Sequence, residues 1–242
     1  MRPLRLLAAV PMALALLGAL AGCDSAPGYP KSGPPVRPDQ VTDFHTLYAT
    51  NCQACHGANG QKGPALDLAN PEYQALVDDA TLRSVISKGM AGTEMPAFAQ
   101  SAGGMLTDQQ VDALVAGMRT EWKKANVFAA AMAPPYAQPE GGHAGHGQLV
   151  YQNNCARCHQ SPERQQVLSP VYLSLVSDQA LRTIVIAGRP DIGQPDWRHD
   201  TTSGDVSQPL TPQDVTDIVT YLHSLRNPGA VSAAPPSAAP EK

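Results

Sequence analysis

A five-residue pattern, Cys-x-x-Cys-His, occurs twice in this chain of 242 residues, as Cys52-Gln-Ala-Cys55-His56 and as Cys155-Ala-Arg-Cys158-His159. The surrounding sequence repeats with it. Pro71, Tyr73, Leu76, Val77, Asp79, Leu82 and Arg83 return 99 positions later as Pro170, Tyr172, Leu175, Val176, Asp178, Leu181 and Arg182, and Gly89 returns as Gly188. Thr107, Val111 and Val115 return 104 positions later as Thr211, Val215 and Val219. Matched segments separated by small gaps are what a duplicated domain leaves when its loops change length and its core does not.

Pro/Gly-rich stretches without helical or strand period set the boundaries. They divide the chain into blocks at 41–124 and 146–226, with a tether at 23–40, a Pro/Gly/Ala-rich linker at 125–145 and a disordered tail at 227–242. The linker predicts blocks that fold independently. Each block reads as three helices: one leading into the first cysteine, with Phe44, Leu47 and Tyr48 on one face, one from about Asp79 to Ser87, and one at the end. In the last, Val111, Leu114, Val115 and Met118 recur at helical spacing, as do Val215, Ile218, Val219 and Leu222. Thr107-Asp108 and Thr211-Pro212 are helix-start signals. No alternating strand pattern appears, so the fold class is all-α. Aromatic residues make up only 5% of the chain, so two blocks of about 80 residues need help beyond their own side chains to hold a core.

The repeated pattern supplies that help. Cys-x-x-Cys-His is the attachment sequence of c-type haem: both thiols bond the porphyrin edge and the adjacent histidine ligates iron. Zinc knuckles and thiol redox motifs also use Cys-x-x-Cys, but neither needs the histidine. Of the five cysteines, Cys52, Cys55, Cys155 and Cys158 account for two covalently bound haem c groups, with His56 and His159 as iron ligands. Only Cys23 is left over.

With these residues in view, both blocks resemble class I cytochromes c. The resemblance implies two tandem domains, each a small helical bundle around one covalent haem, and a methionine from a later loop as second axial ligand. In block one, Gly57, Gly60, Gly63 and Pro64 resemble the family's loop after the histidine, and a carbonyl near Pro64 is expected to accept a hydrogen bond from His56. Gly92-Thr93-Glu94-Met95-Pro96-Ala97-Phe98 resembles the methionine loop. Met95 is the expected ligand, favoured over Met90 and Met105 by the proline after it. Block two departs from the pattern: the position matching Met95 is Gln194, and no methionine follows Met132. Its sixth ligand is Gln194, His199 on the longer loop, or no protein group. Trp197, which matches Phe98, is expected to be a pocket wall. Arg83 and Arg182 are left between haem propionates and acids on their own helices. His143 and His146 are expected to be solvated in the linker, and His45 and His223 to be exposed or satisfied on their helices.

At the N-terminus, Arg2 and Arg5 precede an apolar run from Leu6 to Ala21, which reads as a signal peptide over 1–22 and is too short to be read as a membrane span. Leu20-Ala21-Gly22-Cys23 resembles the lipobox of bacterial lipoproteins, which implies lipid attachment at Cys23. Without Arg2 and Arg5 the mature chain has 15 basic and 21 acidic residues, a balance that argues against nucleic-acid binding. No Ser-His-Asp, paired-carboxylate or phosphate-loop arrangement suggests hydrolysis or phosphoryl transfer. The expectation is an exported, lipid-anchored dihaem cytochrome facing the periplasm or cell exterior, carrying electrons between membrane-bound or soluble redox proteins. The alternative is a redox enzyme subunit or small-ligand sensor built on the second haem.

Overall fold

The computed structural model describes residues 36–128, 131–198 and 209–226. Cys23, His199 and the segments 1–22 and 227–242 lie outside them. Among the described residues all regular structure is helix and turn, with two single bridge pairs and no strand, as the sequence predicts. No described helix is long and apolar enough to cross a membrane.

The first repeat contributes α1 (Phe44–Asn51), α2 (Gln53–His56), α3 (Pro71–Leu76), α4 (Asp79–Lys88) and α5 (Asp108–Trp122). The second repeats the order with α6 (Ala144–Asn154), α7 (Ala156–His159), α8 (Pro170–Leu175), α9 (Asp178–Ala187) and α10 (Pro212–Ser224). Each repeat thus has two short helices beyond the three expected. One is the Cys-x-x-Cys-His turn itself, and the other starts on Pro71 or Pro170, whose fixed φ suits a first helical position. At four and six residues they are too short to show a hydrophobic period.

Local sequence sets the ends of the longer helices. Asp43 caps α1 by accepting from Thr46 N at 2.8 Å. Thr107 and Thr211 form capping boxes with Gln110 and Asp214. Helices α4 and α9 stop at Gly89 and Gly188, whose φ values of 69° and 70° a side chain would resist.

The predicted stripes of α5 and α10 are buried, with Val111, Leu114 and Val215 fully so. In the first repeat they meet Leu47, Tyr48, Leu82 and Ile86, and in the second Ile218, Val219 and Leu222 meet Val150, Tyr151 and Leu181. Each such side chain contributes about 1.5–3 kcal/mol. Trp122 packs edge-on against Phe44 and Tyr48 at 5.6 and 5.3 Å. An arginine ties the α3–α4 corner to α5: Arg119 donates to Gln74 O, Val77 O and Asp79 Oδ1 at 2.6–2.7 Å. Arg226 does the same for α8 and α9, reaching Leu173 O, Val176 O and Asp178 Oδ1 at 2.6–2.8 Å.

The repeats share a buried boundary, which the sequence did not show. Asn70 Nδ2 donates to Ala187 O at 2.8 Å, and Ala187 packs into the first repeat's core. Arg198 pairs with Glu72 across the boundary at 3.0 Å and donates to Val127 O. Part of the linker is also fixed: Gln179 Nε2 donates to Tyr136 O at 2.7 Å and Arg182 Nε to Pro135 O at 2.8 Å.

Candidate haem-binding sites

In the first repeat, α1 delivers the chain into α2, where His56 N donates to Cys52 O at 3.0 Å and Cys55 N to the same carbonyl at 3.2 Å. One turn therefore brings Cys52, Cys55 and His56 together. The thiols are not joined in a disulfide. His56 is buried, and its Nδ1 lies 2.8 Å from Leu66 O. Donation by Nδ1–H fixes the tautomer and leaves Nε2 for a metal. The carbonyl is two residues beyond Pro64, where the resemblance had placed it. Burial first, then the Arg189 charge, works against protonation of His56, while the Leu66 bond favours it. Metal ligation needs the neutral ring. Burial pushes the Cys52 thiol up to about 12, with Cys55 adding to it.

The loop behind the turn is tight. A Cβ on Gly63 would lie 2.3 Å from Cys55 O and 2.6 Å from His56 C, so only glycine lets this strand of backbone approach. Ala65 N then donates to Cys55 O at 3.0 Å, and Tyr48 OH donates to Gly57 O at 2.8 Å. These residues fit a covalent haem: two free thiols and an oriented imidazole on one helical turn.

The second repeat has the same turn, with His159 N and Cys158 N both donating to Cys155 O, at 3.0 and 3.1 Å. Its supporting loop is four residues shorter and looser. His159 is half-buried, and its Nδ1 is 3.3 Å from Arg164 O. Gln160 replaces Gly57 in an ordinary right-handed conformation. Tyr151, the counterpart of Tyr48, finds no hydroxyl partner among the described residues.

The loops after α4 and α9 are equivalent in backbone. Met90 N donates to Met95 O at 3.1 Å, and Arg189 N donates to Gln194 O at 2.9 Å, so Gln194 occupies the place of Met95. Both are half-buried. The Gln194 side chain turns back to its own helix, Nε2 donating to Ile184 O at 3.2 Å. His199 lies outside the described residues.

Other residues singled out in the sequence have ordinary partners. Arg83 pairs with Asp108 and Asp112 on α5, not with acids of its own helix. Arg182 is fully buried against Pro135 O and Thr216 Oγ1. Trp197 is buried and packs with Ile186 and Val215. His146 is held, with Nδ1 at 2.7 Å from the buried Asp217, which also accepts from His143 N at 2.7 Å. His45 stays exposed near Glu121, and His223 meets Asp178 at 2.9 Å. Sequence reasoning missed Arg189, Asp191 and Asp67, which gather behind His56. Asp67 is buried, and its carboxyl is pushed up to about 6 by desolvation, with Asp191 adding and Arg189 opposing.

Residues 39–116 match the family described as cytochrome c oxidase, cbb3-type, subunit III, and residues 144–226 match the family described as cytochrome c. The chain therefore carries two cytochrome c-type domains, which imply haem c and a role in electron transfer. Dihydro-heme d1 dehydrogenase of Pseudomonas aeruginosa (strain PAO1) is 40% identical over 103 residues, 42% of this chain and 16% of that protein, so the chain spans less than a fifth of this relative. No solved structure matches.

Proposed function

We propose that this chain is an exported, lipid-anchored dihaem cytochrome that passes electrons between redox proteins at a membrane surface. The observation that carries the reading is the pair of Cys-x-x-Cys-His turns, in the first of which His56 is oriented by Leu66 O with Nε2 left for iron. Haem c would be held by Cys52, Cys55 and His56 in one domain and by Cys155, Cys158 and His159 in the other, and supplies a one-electron Fe(III)/Fe(II) couple. Met95 would supply a further iron ligand in the first domain. The protein's own part is to orient the histidines, exclude water around His56 and set each potential. Cys23 carries the lipid, and the segment 23–40 tethers the domains so that they meet membrane-bound partners at high effective concentration. The 40% identity to a stretch of a dehydrogenase supports a module that accepts electrons released when a reduced substrate is oxidised elsewhere.

A second reading has one observation in its favour. The place of Met95 is taken by Gln194, a weak, hard donor tied through Nε2 to Ile184 O, which favours a second haem open to a small ligand. The test is a redox titration of the purified protein followed by absorbance, with haem counted by its alkaline pyridine spectrum. Two haems and two one-electron waves are expected. A protein with fewer than two haems, or without a reversible wave, overturns the proposal. Carbon monoxide bound at the second haem would convert the carrier reading into the ligand-binding one.

A further inference from the structure

The loop after α9 reaches out of its own repeat. Arg189 has a buried side chain, 9% exposed, whose Nε and Nη2 each meet a different oxygen of Asp191 at 2.9 Å. The remaining donors cross the boundary: Nη1 to Ala65 O at 2.9 Å and Nη2 to Gly63 O at 3.1 Å. Asp191, 1% exposed, accepts from Lys62 N at 2.7 Å. The gripped segment is the one that holds the first haem's histidine, since Gly63 lies against the backbone of Cys55 and His56, Ala65 N bonds Cys55 O, and Leu66 O bonds His56. Met90 occupies the position of Arg189 in the first repeat and has no donors to return the contact. The arginine contact is not returned, although Asn70 of the first repeat reaches Ala187 O and Gly188 O in the second.

We propose that Arg189 is a positioning residue of the first haem, supplied by the second domain, which fixes the segment 63–66 behind His56 and raises that haem's reduction potential by a buried positive charge. This rests on the assignment of haem to Cys52, Cys55 and His56. Oxidised haem carries one more positive charge than reduced haem, so a nearby guanidinium disfavours the oxidised state, and screening by water is weak in a buried site. Asp191 carries the opposite charge and offsets part of this effect. The two residues therefore predict opposite shifts. A clamp that acted only mechanically would be loosened by losing either partner and would move the potential the same way for both.

The test uses the full two-haem protein and the variants Arg189→Gln, Arg189→Lys and Asp191→Asn. The first haem is followed alone through the sulfur-to-iron charge-transfer band of its ferric methionine-ligated state. Arg189→Gln should lower the first haem's midpoint, Asp191→Asn should raise it, and Arg189→Lys, which keeps the charge, should stay close to wild type. Shifts of the same sign in Arg189→Gln and Asp191→Asn, or no shift in either, overturn the inference. If Arg189→Gln fails to assemble, the sign in Asp191→Asn decides, and a fall overturns it. Failure of the underlying assignment shows separately, as absence of haem mass on the peptide containing Cys52 and Cys55 in the wild type.

Discussion

Asn70, buried in the first repeat, donates from Nδ2 to the carbonyl of Ala187 in the second at 2.8 Å, while its Oδ1 accepts from Glu72 N at 2.8 Å to start α3. One side chain thus caps a helix and crosses the boundary between repeats. Asn70→Ala removes the cap, worth about 1 kcal/mol, and leaves a buried carbonyl short of a partner, costing about 1–3 kcal/mol more. Asn70→Ser keeps the capping oxygen and should cost only the crossing bond. Urea unfolding followed by circular dichroism and by each haem's absorbance checks this. Both haem signals are expected to shift together in Asn70→Ala, and a shift confined to the first repeat would show that the boundary does not couple them.

Asp67 places a carboxyl in a buried site with Oδ1 unpaired among the described residues and its pKa raised from 3.8 to about 6. A carboxyl whose folded pKa exceeds its unfolded one binds protons more tightly when folded, so it costs stability once ionised. The cost is absent below about pH 4, grows as pH rises to about 6 and stays constant above, reaching at most about 3 kcal/mol. Asp67→Asn should therefore raise the melting temperature at pH 7 and change it little at pH 4. A variant equally stabilised at both values would point to a cause other than ionisation.

The sequence exposes what is covalent or periodic and hides what depends on two distant segments meeting. The attachment turns, the stripes of α5 and α10 and their threonine caps were legible because each is written within a few residues. The match of Gln194 to Met95 was legible through Gly188 and Gly89, and the paired backbone bonds of Met90 and Arg189 bear it out. The second arginine clamp was hidden because Arg226 does the work of Arg119 from a position that the repeat does not align. The boundary was hidden more deeply. Asn70, Arg189 and Asp191 are polar residues in loops, which read as solvated until the partner repeat supplies their contacts.

Lipid attachment at Cys23 is expected because the four other cysteines sit in the two haem turns. Cys23→Ser should keep both haems while the protein leaves salt-washed membranes, or accumulates at precursor length because the signal is not removed. Two acyl chains make a stable anchor, so the effect should be close to all-or-none. Membrane retention of a processed Cys23→Ser protein would sink the lipoprotein reading.

The two haems are expected to differ in potential, and the second to be the lower. A thioether sulfur is a soft donor that favours Fe(II), so the proposed ligation by His56 and Met95 would raise the first haem's potential. Gln194 stands where that sulfur would be, its side chain hydrogen-bonded to Ile184 O in this structure. The bond to Ile184 O is donated by Nε2, so a ligating Gln194 would offer Oε1, a hard oxygen donor, whereas His199 would offer a nitrogen. Gln194→Met, which returns the methionine at an equivalent backbone position, should raise the lower potential and give the second haem a sulfur-to-iron band. His199→Ala should leave the spectrum unchanged if Gln194 or an exogenous ligand completes the site, and convert it to a five-coordinate type if the histidine does. Each of these ligand sets lacks the sulfur, so electrons arriving at the second haem run downhill to the first. Equal wild-type potentials with matching His/Met spectra would defeat the argument, since the second repeat has no methionine to give.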